Sequence, residues 1–255
     1  MWVLGIVLLL GGAGCLWGAV CAQRRVRAML AAETLSIAEL EERRHTTAEL
    51  GAAFRHVCEV VGQAHPAPGG PLTSELTGTA CVWYSHRVQR HYKRYDRDSD
   101  GETRVTTGTE TVAEHTAGHG FALLADGLTI GVDTGGRRPD GVEQVADRFE
   151  AAEVASGWVE VVGSLIGGDR DVTIGYQHTE WVLRAGTPLY VLGEVHDVAG
   201  PLIIAPPRDG GMFTVSTRSE EQLTAADRTQ QRWLAWTGAG LAAAALPVLA
   251  IGLLA

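Results

Sequence analysis

Residues 121–133 read FALLADGLTIGVD, and this stretch predicts a tight β-hairpin. Two apolar runs flank Asp126 and Gly127, a residue pair that can supply the two positive-φ positions of a two-residue hairpin turn. Short apolar runs on both sides of such a pair are typical of strands. The stretch therefore indicates antiparallel β structure in the middle of the chain.

Similar strand patterns lie on both sides of this hairpin. Residues 81–115 predict one long hairpin that turns at DRDSDG, because its apolar, aromatic and β-branched residues favour strands. Many short strands with Gly and Pro turns and little helix between them are typical of a small barrel or sandwich, so a mainly β fold is expected. The other predicted strands are 56–64, 158–166, 179–186, 188–195, 201–206 and 212–217.

The charges of the chain are confined to its middle. The 255 residues include 21 basic and 30 acidic side chains, all between Arg24 and Arg232, and the formal net charge is -9. Charge-free segments remain at 2–22 and 233–255. A helix of about 21 residues is about 32 Å long, which matches the thickness of a bilayer core. The pattern predicts two transmembrane helices, and it excludes both an ordinary soluble globule and a transporter with many spans.

Basic residues near the two apolar segments predict the orientation of the large loop. They flank the loop side of both segments and are absent from the outer tails, so the positive-inside rule places the loop in the cytoplasm. These residues are Arg24, Arg25, Arg27, Arg228 and Arg232.

The first apolar segment has an alternative interpretation as a cleaved signal peptide. It lacks a basic region before the apolar run, and arginines follow it directly, so a retained span is favoured. Gly14 and Gly18 have the GxxxG spacing that allows close helix contact, and they suggest a homo-oligomer.

The sequence divides the chain into a soluble domain with helical connections to the membrane. Ser36 and Glu39 form a capping box that starts a short helix before the β region. The predicted order is a transmembrane helix at 2–22, a helical stalk at 23–53, a β domain at 54–222, a helical connector at 223–232 and a transmembrane helix at 233–255.

Candidate metal ligands are present, but they do not complete a site. Asp96, Asp98 and Asp100 resemble the first half of an EF-hand loop, yet Thr107 stands where the loop needs a bidentate Glu. Of the histidines, His115 and His119 lie in a Gly- and Thr-rich stretch that is not helical. We expect no bound metal and no cofactor.

No catalytic motif is recognisable in the chain. There is no GxSxG elbow, and Asp169 stands where a phosphate-binding loop needs Lys. A net charge of -9 without a basic stripe argues against nucleic acid as a partner. We expect no catalytic residues; an enzyme that uses the acidic hairpin and nearby histidines would need a bound metal.

Several stretches together resemble the GIDE domain, also called BAM for "beside a membrane". They are VCEVVGQA, PLTSELTGTACVWYSHRV, FALLADGLTIGVD, TEWVLRAGTPLYVLGEV and FTVSTRSEEQL. Eukaryotic members of this family are membrane E3 ubiquitin ligases that carry a RING after the second span and use the domain between the spans for recognition. The resemblance places these residues on the family pattern, mostly in structural roles: Pro71, Gly78, Cys81, Trp83, Tyr84, Asp126, Gly127, Glu180, Gly186, Tyr190, Gly193 and Glu220.

The sequence departs from the family where catalysis would be expected. A RING needs about eight Cys and His ligands for its two zinc ions, whereas here all four cysteines precede Val82 and nothing follows Ala255. The expectation is a member without the RING, and an arginine-rich, lysine-poor composition without asparagine indicates a bacterial source. Its partners would be the lipid bilayer and an unknown membrane or cytoplasmic protein.

The function expected from the sequence is recognition or scaffolding at the membrane surface. The alternative is an E3 ubiquitin ligase family member that works only through a separate RING-bearing partner.

Overall fold

The computed structural model describes residues 2–97, 103–117, 120–152, 170–198 and 200–254. The chain forms two compact units. Unit 1 contains both ends of the chain, Met1–Gly62 and Pro188–Ala255, and unit 2 is Gln63–Thr187. Strands far outnumber helices in the described ranges, so the predicted mainly β fold with an N-terminal helix is confirmed.

The elements follow one another along the chain in a simple order. In unit 1 and the strand that leads out of it they are α1 (Trp2–Ala31), β1 (Glu33–Thr34), α2 (Ile37–Glu49) and β2 (Arg55–His65). Unit 2 continues with β3 (Leu72–Thr73), β4 (Ala80–Cys81), β5 (Trp83–Arg97), β6 (Thr103–Thr116), β7 (Phe121–Ala125), β8 (Leu128–Val132), β9 (Glu143–Ala151) and β10 (Arg170–Leu183). The chain returns to unit 1 with β11 (Pro188–His196), β12 (Ile203–Ala205), β13 (Thr214–Ser216) and α3 (Glu220–Leu254).

Helices α1 and α3 of unit 1 pack against each other in antiparallel orientation. A Cβ atom added to Gly12 would lie 3.2 Å from the carbonyl oxygen of Gly238, and one added to Gly18 would lie 3.2 Å from the Leu234 side chain. The two backbones approach closely because glycine has no side chain at the contact. A Cβ at Gly14 would meet nothing within 4 Å, and the homo-oligomer suggested for Gly14 and Gly18 stays a prediction.

One helix in the described part of the chain is long and apolar enough to cross a membrane. It comprises Ile6–Ala31 within α1, and most of its residues are exposed in the structure. The prediction of two such helices is therefore met only for the first segment. Residues 233–254 of the second segment continue the polar first turns of α3 in one helix, as the predicted helical connector implies.

The connection after α1 contains a short strand in addition to the predicted helices of the stalk. The helix does extend past the apolar segment, but it ends at Ala31, and Glu33–Thr34 then form a strand. The predicted capping box is confirmed: the Ser36 hydroxyl accepts from the Glu39 backbone N–H, and the Glu39 carboxylate accepts from the Ser36 backbone N–H at 2.8 Å. This cap starts α2, whose Ile37 and Leu40 are buried.

The strands of unit 1 bring its functional residues together. β1 runs parallel to β2, with Thr34 opposite Glu59. β11 pairs with β2, with β12 and with β13. The apolar residues of β11 and β12 and the inward-facing residues of β2 form the buried centre of unit 1, which includes Cys58, Val60, Val191, Leu192, Val195 and Ile204.

Unit 2 contains the tight hairpin predicted at 121–133. β7 and β8 pair around Asp126 and Gly127, whose φ angles are 50° and 78°, so the predicted tight turn is confirmed. The predicted hairpin of β5 and β6 is also present, in a sheet of order β6-β5-β10-β9. The sequence reasoning missed β9, whose largely exposed residues lack an apolar alternation. The predicted strand 158–166 lies outside the described residues.

The α1–α3 contact can be tested with a disulfide. A Cβ at position 238 would lie 3.1 Å from the Cβ of Cys15, and disulfide Cβ atoms are about 3.5–4.5 Å apart. We expect Gly238→Cys to form an intramolecular bond with Cys15 under mild oxidation, detected by mass spectrometry of the purified full chain.

Two controls distinguish this result from random oxidation. Gly240→Cys adds a thiol where a Cβ meets nothing within 4 Å, and it should stay reduced. Adding Cys15→Ser to Gly238→Cys should abolish the bond. Equal oxidation of the two single variants would show that the helices do not pack as described.

Candidate functional site

A buried carboxylate lies at the centre of unit 1. Glu59 follows Cys58 in β2, and only 2% of its surface is exposed. One carboxylate oxygen accepts a hydrogen bond from the Thr34 hydroxyl at 3.0 Å, and the other accepts from the Tyr190 hydroxyl. Both donors are neutral side chains, and β1 and β11 hold them on either side of the carboxylate.

Burial dominates the electrostatics of this group. It raises the pKa of Glu59, although the hydrogen bonds from Tyr190 and Thr34 act in the opposite direction, and the nearby Glu220 adds to the rise. Burial also raises the pKa of the Tyr190 phenol, and its hydrogen bond to Glu59 raises it further. Tyr190 therefore remains a hydrogen-bond donor at any physiological pH.

A cavity of about 580 Å³ opens beside Glu59 and Tyr190. A volume of this size falls in the range of small-molecule pockets. Its wall combines apolar residues with carboxylate, hydroxyl and amide groups. The lining residues are Thr34, Glu59, Val61, Pro188, Leu189, Tyr190, Thr217, Arg218, Ser219, Glu220, Glu221 and Gln222.

The same tyrosine connects the cavity to the two long helices. Tyr190 packs in one buried cluster with Met29 of α1 and Leu192 of β11, and Leu223 of α3 contacts this cluster. Met29 lies in the last turn of α1 and Leu223 in the first turn of α3. The cavity is therefore built where the helix pair meets the strands of unit 1.

A family model named GIDE and described as an E3 ubiquitin ligase matches residues 88–251. The match covers well over half of the chain. The chain belongs to the GIDE family. No curated protein and no solved structure matches it. The matched region begins within β5 and extends into α3, past the end of the β domain predicted at 54–222.

Two of the family-pattern residues of this GIDE chain meet at the cavity. Tyr190 and Glu220 are separated by 30 residues in sequence, yet both line its wall. Gly193 lies in the same strand as Tyr190, where a Cβ would be 2.8 Å from the Ala205 carbonyl oxygen. The sequence reasoning missed Glu59 and Thr34; the signal available was a charged residue inside the apolar strand VCEVV.

A second buried carboxylate, Glu180, lies in unit 2. It is fully buried in β10, and the loop between β3 and β4 surrounds it with donors. The backbone N–H groups of Leu76 and Thr77 donate at 2.7 and 3.1 Å, and the hydroxyls of Ser74 and Thr77 donate at 3.0 and 2.6 Å. Burial would raise the pKa of Glu180, but these hydrogen bonds outweigh it and the pKa is lowered.

Tyr84 and three neighbours form a surface cluster in unit 2. The Tyr84 hydroxyl donates to the Glu75 carboxylate at 3.2 Å. His86 Nδ1 and His115 Nε2 lie 3.7 and 3.5 Å from the same carboxylate. His86 and His115 are directly opposite each other in β5 and β6, which explains why they share one partner.

The remaining family-pattern residues lie in turns and in the core of unit 2. Positive φ angles, which glycine adopts without strain, occur at Gly78, Gly127 and Gly186. Asp126 also has a positive φ angle. Trp83 is completely buried and Cys81 almost so. Pro71 immediately precedes β3. The proposed structural role of these residues stays a prediction.

The two buried cysteines, Cys58 in β2 and Cys81 in β4, are poor nucleophiles. Burial raises the pKa of the Cys58 thiol to about 12. Burial and the nearby Glu180 raise the pKa of Cys81 as well. Because the thiolate is the reactive form, neither thiol is activated for covalent chemistry at neutral pH.

The weak metal candidates do not gain support from the structure. Asp98, Asp100 and His119 lie outside the described residues, and for Asp96 only its place at the end of β5 is described. Among the residues that the structure describes, no group of three His, Cys, Asp or Glu side chains could hold a metal ion.

Glu180 offers a test of stability in unit 2. Glu180→Gln places an amide among four donors, so we expect a loss of about 1–3 kcal/mol in the free energy of unfolding at pH 7. Because the pKa of Glu180 is lowered in the folded state, the carboxylate stabilises the fold above the ordinary carboxyl pKa, and this stabilisation is lost as the pH falls through the lowered value.

The measurement is chemical denaturation of the detergent-solubilised chain at several pH values. The difference in the free energy of unfolding between wild type and Glu180→Gln should decrease toward acid pH. Glu143→Gln, which removes an exposed partner of Arg184, should change little. A gap that stays constant from pH 7 to below pH 4 would contradict the role assigned to the charged form.

Proposed function

We propose that this GIDE chain is a membrane-anchored recognition or scaffold protein that presents its β domain beside the membrane. The single observation that carries the proposal is the antiparallel α1–α3 pair of unit 1. At its contact surface, glycines of each helix pack against the backbone and leucine side chains of the other, and large apolar side chains are exposed on its outer surface. A helix pair of this kind is suited to lipid, where small residues allow close packing.

The outward-facing side chains support a lipid environment for the pair. Large apolar residues are exposed along α1, among them Leu10 at 68% and Trp17 at 69%. Trp233 and Trp236 of α3 are 72% and 78% exposed. Exposed apolar side chains at this density are costly in water and favourable in a bilayer, and tryptophan is enriched at the membrane interface.

The proposal includes a second span. Gly238 of α3 contacts Gly12 of α1, so the apolar part of α3 runs alongside the helix that is able to cross the membrane. If α1 spans the bilayer, its antiparallel partner has the same surroundings. The arginines that flank both segments on the loop side favour a cytoplasmic β domain, and the arginine-rich, lysine-poor composition favours a bacterial cell.

A second candidate function follows from the description of the family model. Under this alternative the chain is an E3 ubiquitin ligase family member that acts through a separate RING-bearing partner. The buried, unactivated thiols Cys58 and Cys81 argue against a ubiquitin thioester on this chain, so a ligase role would depend on the RING-bearing partner.

Topology is the first test. A phosphatase or fluorescent reporter inserted after Gly101, between β5 and β6, should report a cytoplasmic loop, and carbonate extraction should leave the full chain in the membrane. Phosphatase activity, which requires export, would contradict the proposed orientation. Release of the chain by carbonate would contradict anchoring.

Recognition is tested by photo-cross-linking in intact membranes. A benzophenone amino acid at Val61 lies at the cavity, whereas Val198 is similarly exposed but does not line it. We expect a discrete adduct at Val61 that is absent or much weaker at Val198. An adduct with a ubiquitin-type conjugation enzyme or RING protein would favour the alternative, and equal adducts at both sites would contradict recognition through the cavity.

A further inference from the structure

The two buried carboxylates of unit 1 differ in their counter-ions. Glu194 is 8% exposed and forms an ion pair with Arg55 at 2.6 Å. Glu59 is more deeply buried, yet in the described part of the chain its partners are only the hydroxyls of Thr34 and Tyr190. Buried charges in proteins are normally paired, and a cation bound at the cavity wall would supply the pairing that Glu59 lacks among the described residues.

The charges around the cavity have the same sign as Glu59. Glu220 and Glu221 contribute two further carboxylates to the lining, against the single guanidinium of Arg218. Glu220 lies near enough to raise the pKa of Glu59. The cavity therefore has an excess of negative charge, and a bound cation would relieve the repulsion between these carboxylates.

The apolar part of the wall restricts the shape of the cation. Val61, Pro188 and Leu189 line the cavity together with the acidic groups. A cation with an aliphatic stem can pack against these residues while its charged end approaches Glu59. A bare metal ion, which needs several oxygen ligands, fits less well, because both Glu59 oxygens already accept hydrogen bonds from hydroxyl groups.

We propose that the cavity beside Glu59 binds an ammonium or guanidinium group on a short aliphatic stem, as found in a lysine or arginine side chain of a protein partner. This inference rests on the proposed recognition function and names the chemistry that the cavity recognises. Glu59 and Glu220 provide the charge, and Val61 and Leu189 provide the contact for the stem.

The first experiment uses four small probes with the full chain in lipid nanodiscs. Butylguanidinium and butylammonium should give saturation-transfer NMR signals that compete with each other, whereas butanol and butyrate should not bind. Glu59→Gln should weaken binding of the cations by at least about tenfold. Stronger binding of butyrate than of the cations, or unchanged binding by Glu59→Gln, would overturn the assignment.

Matched variants distinguish a loss of cation binding from a loss of folding. Glu220→Gln lies at the start of α3, where the side chain is partly exposed, and it should weaken cation binding by about threefold without loss of folding. Glu49→Gln removes an exposed charge at the end of α2 and should leave binding unchanged. Equal effects of Glu220→Gln and Glu49→Gln would contradict a local role for Glu220.

A second arm distinguishes a protein side chain from a free amine. A short peptide with one central arginine should bind at least about tenfold more tightly than butylguanidinium if the partner is a protein, and its citrulline counterpart should not bind. Equal affinity of peptide and butylguanidinium would instead assign the cavity to free amines. Failure of every probe, with a specific Val61 adduct retained, would overturn the cation proposal alone and leave recognition standing.

Discussion

The close approach of α1 and α3 at Gly12 and Gly238 is the contact on which unit 1 depends. It joins the two ends of the chain, because α1 is the first element and α3 the last. Any side chain larger than hydrogen at position 238 would meet the backbone of α1 about 3.1 Å away, so the spacing of the pair is set by glycine. Met29 at the end of α1 belongs to the same buried cluster as Tyr190, and Leu223 at the start of α3 packs against that cluster. The position of the cavity therefore follows from the helix contact.

Glu180 and Glu59, the two most deeply buried carboxylates of the described residues, differ in how the fold compensates their burial. Glu180 accepts four hydrogen bonds from a surrounding loop, and this lowers its pKa despite complete burial. Glu59 accepts two, from neutral hydroxyls, and burial raises its pKa. A carboxylate whose own chain supplies four hydrogen bonds is suited to a structural role, whereas one that accepts two and borders a cavity is suited to binding. The difference lies in the partners, since both residues are Glu in a strand.

Much of the local structure could be predicted because it depends on residues close in sequence. The Asp126–Gly127 turn, the Ser36–Glu39 cap and the long β5–β6 hairpin each follow from a pattern within one or two elements. β9 escaped prediction because its outward-facing residues lack the alternation by which strands are recognised. The spacing of Gly14 and Gly18 predicts a close helix contact, but it does not specify the partner helix. The sequence therefore did not show that Gly12 and Gly18 face α3.

The sequence by itself determined the charge-free ends, the mainly β composition and membership of the GIDE family, because these depend on composition and on local or linear patterns. Only the tertiary structure decided which residues meet. Four residues from four separate elements line one cavity: Thr34, Glu59, Tyr190 and Glu220. Their convergence depends on strand register and on the antiparallel helix pair. Burial and the identity of hydrogen-bond partners determine whether a carboxylate is structural or available, and both are properties of the packed chain.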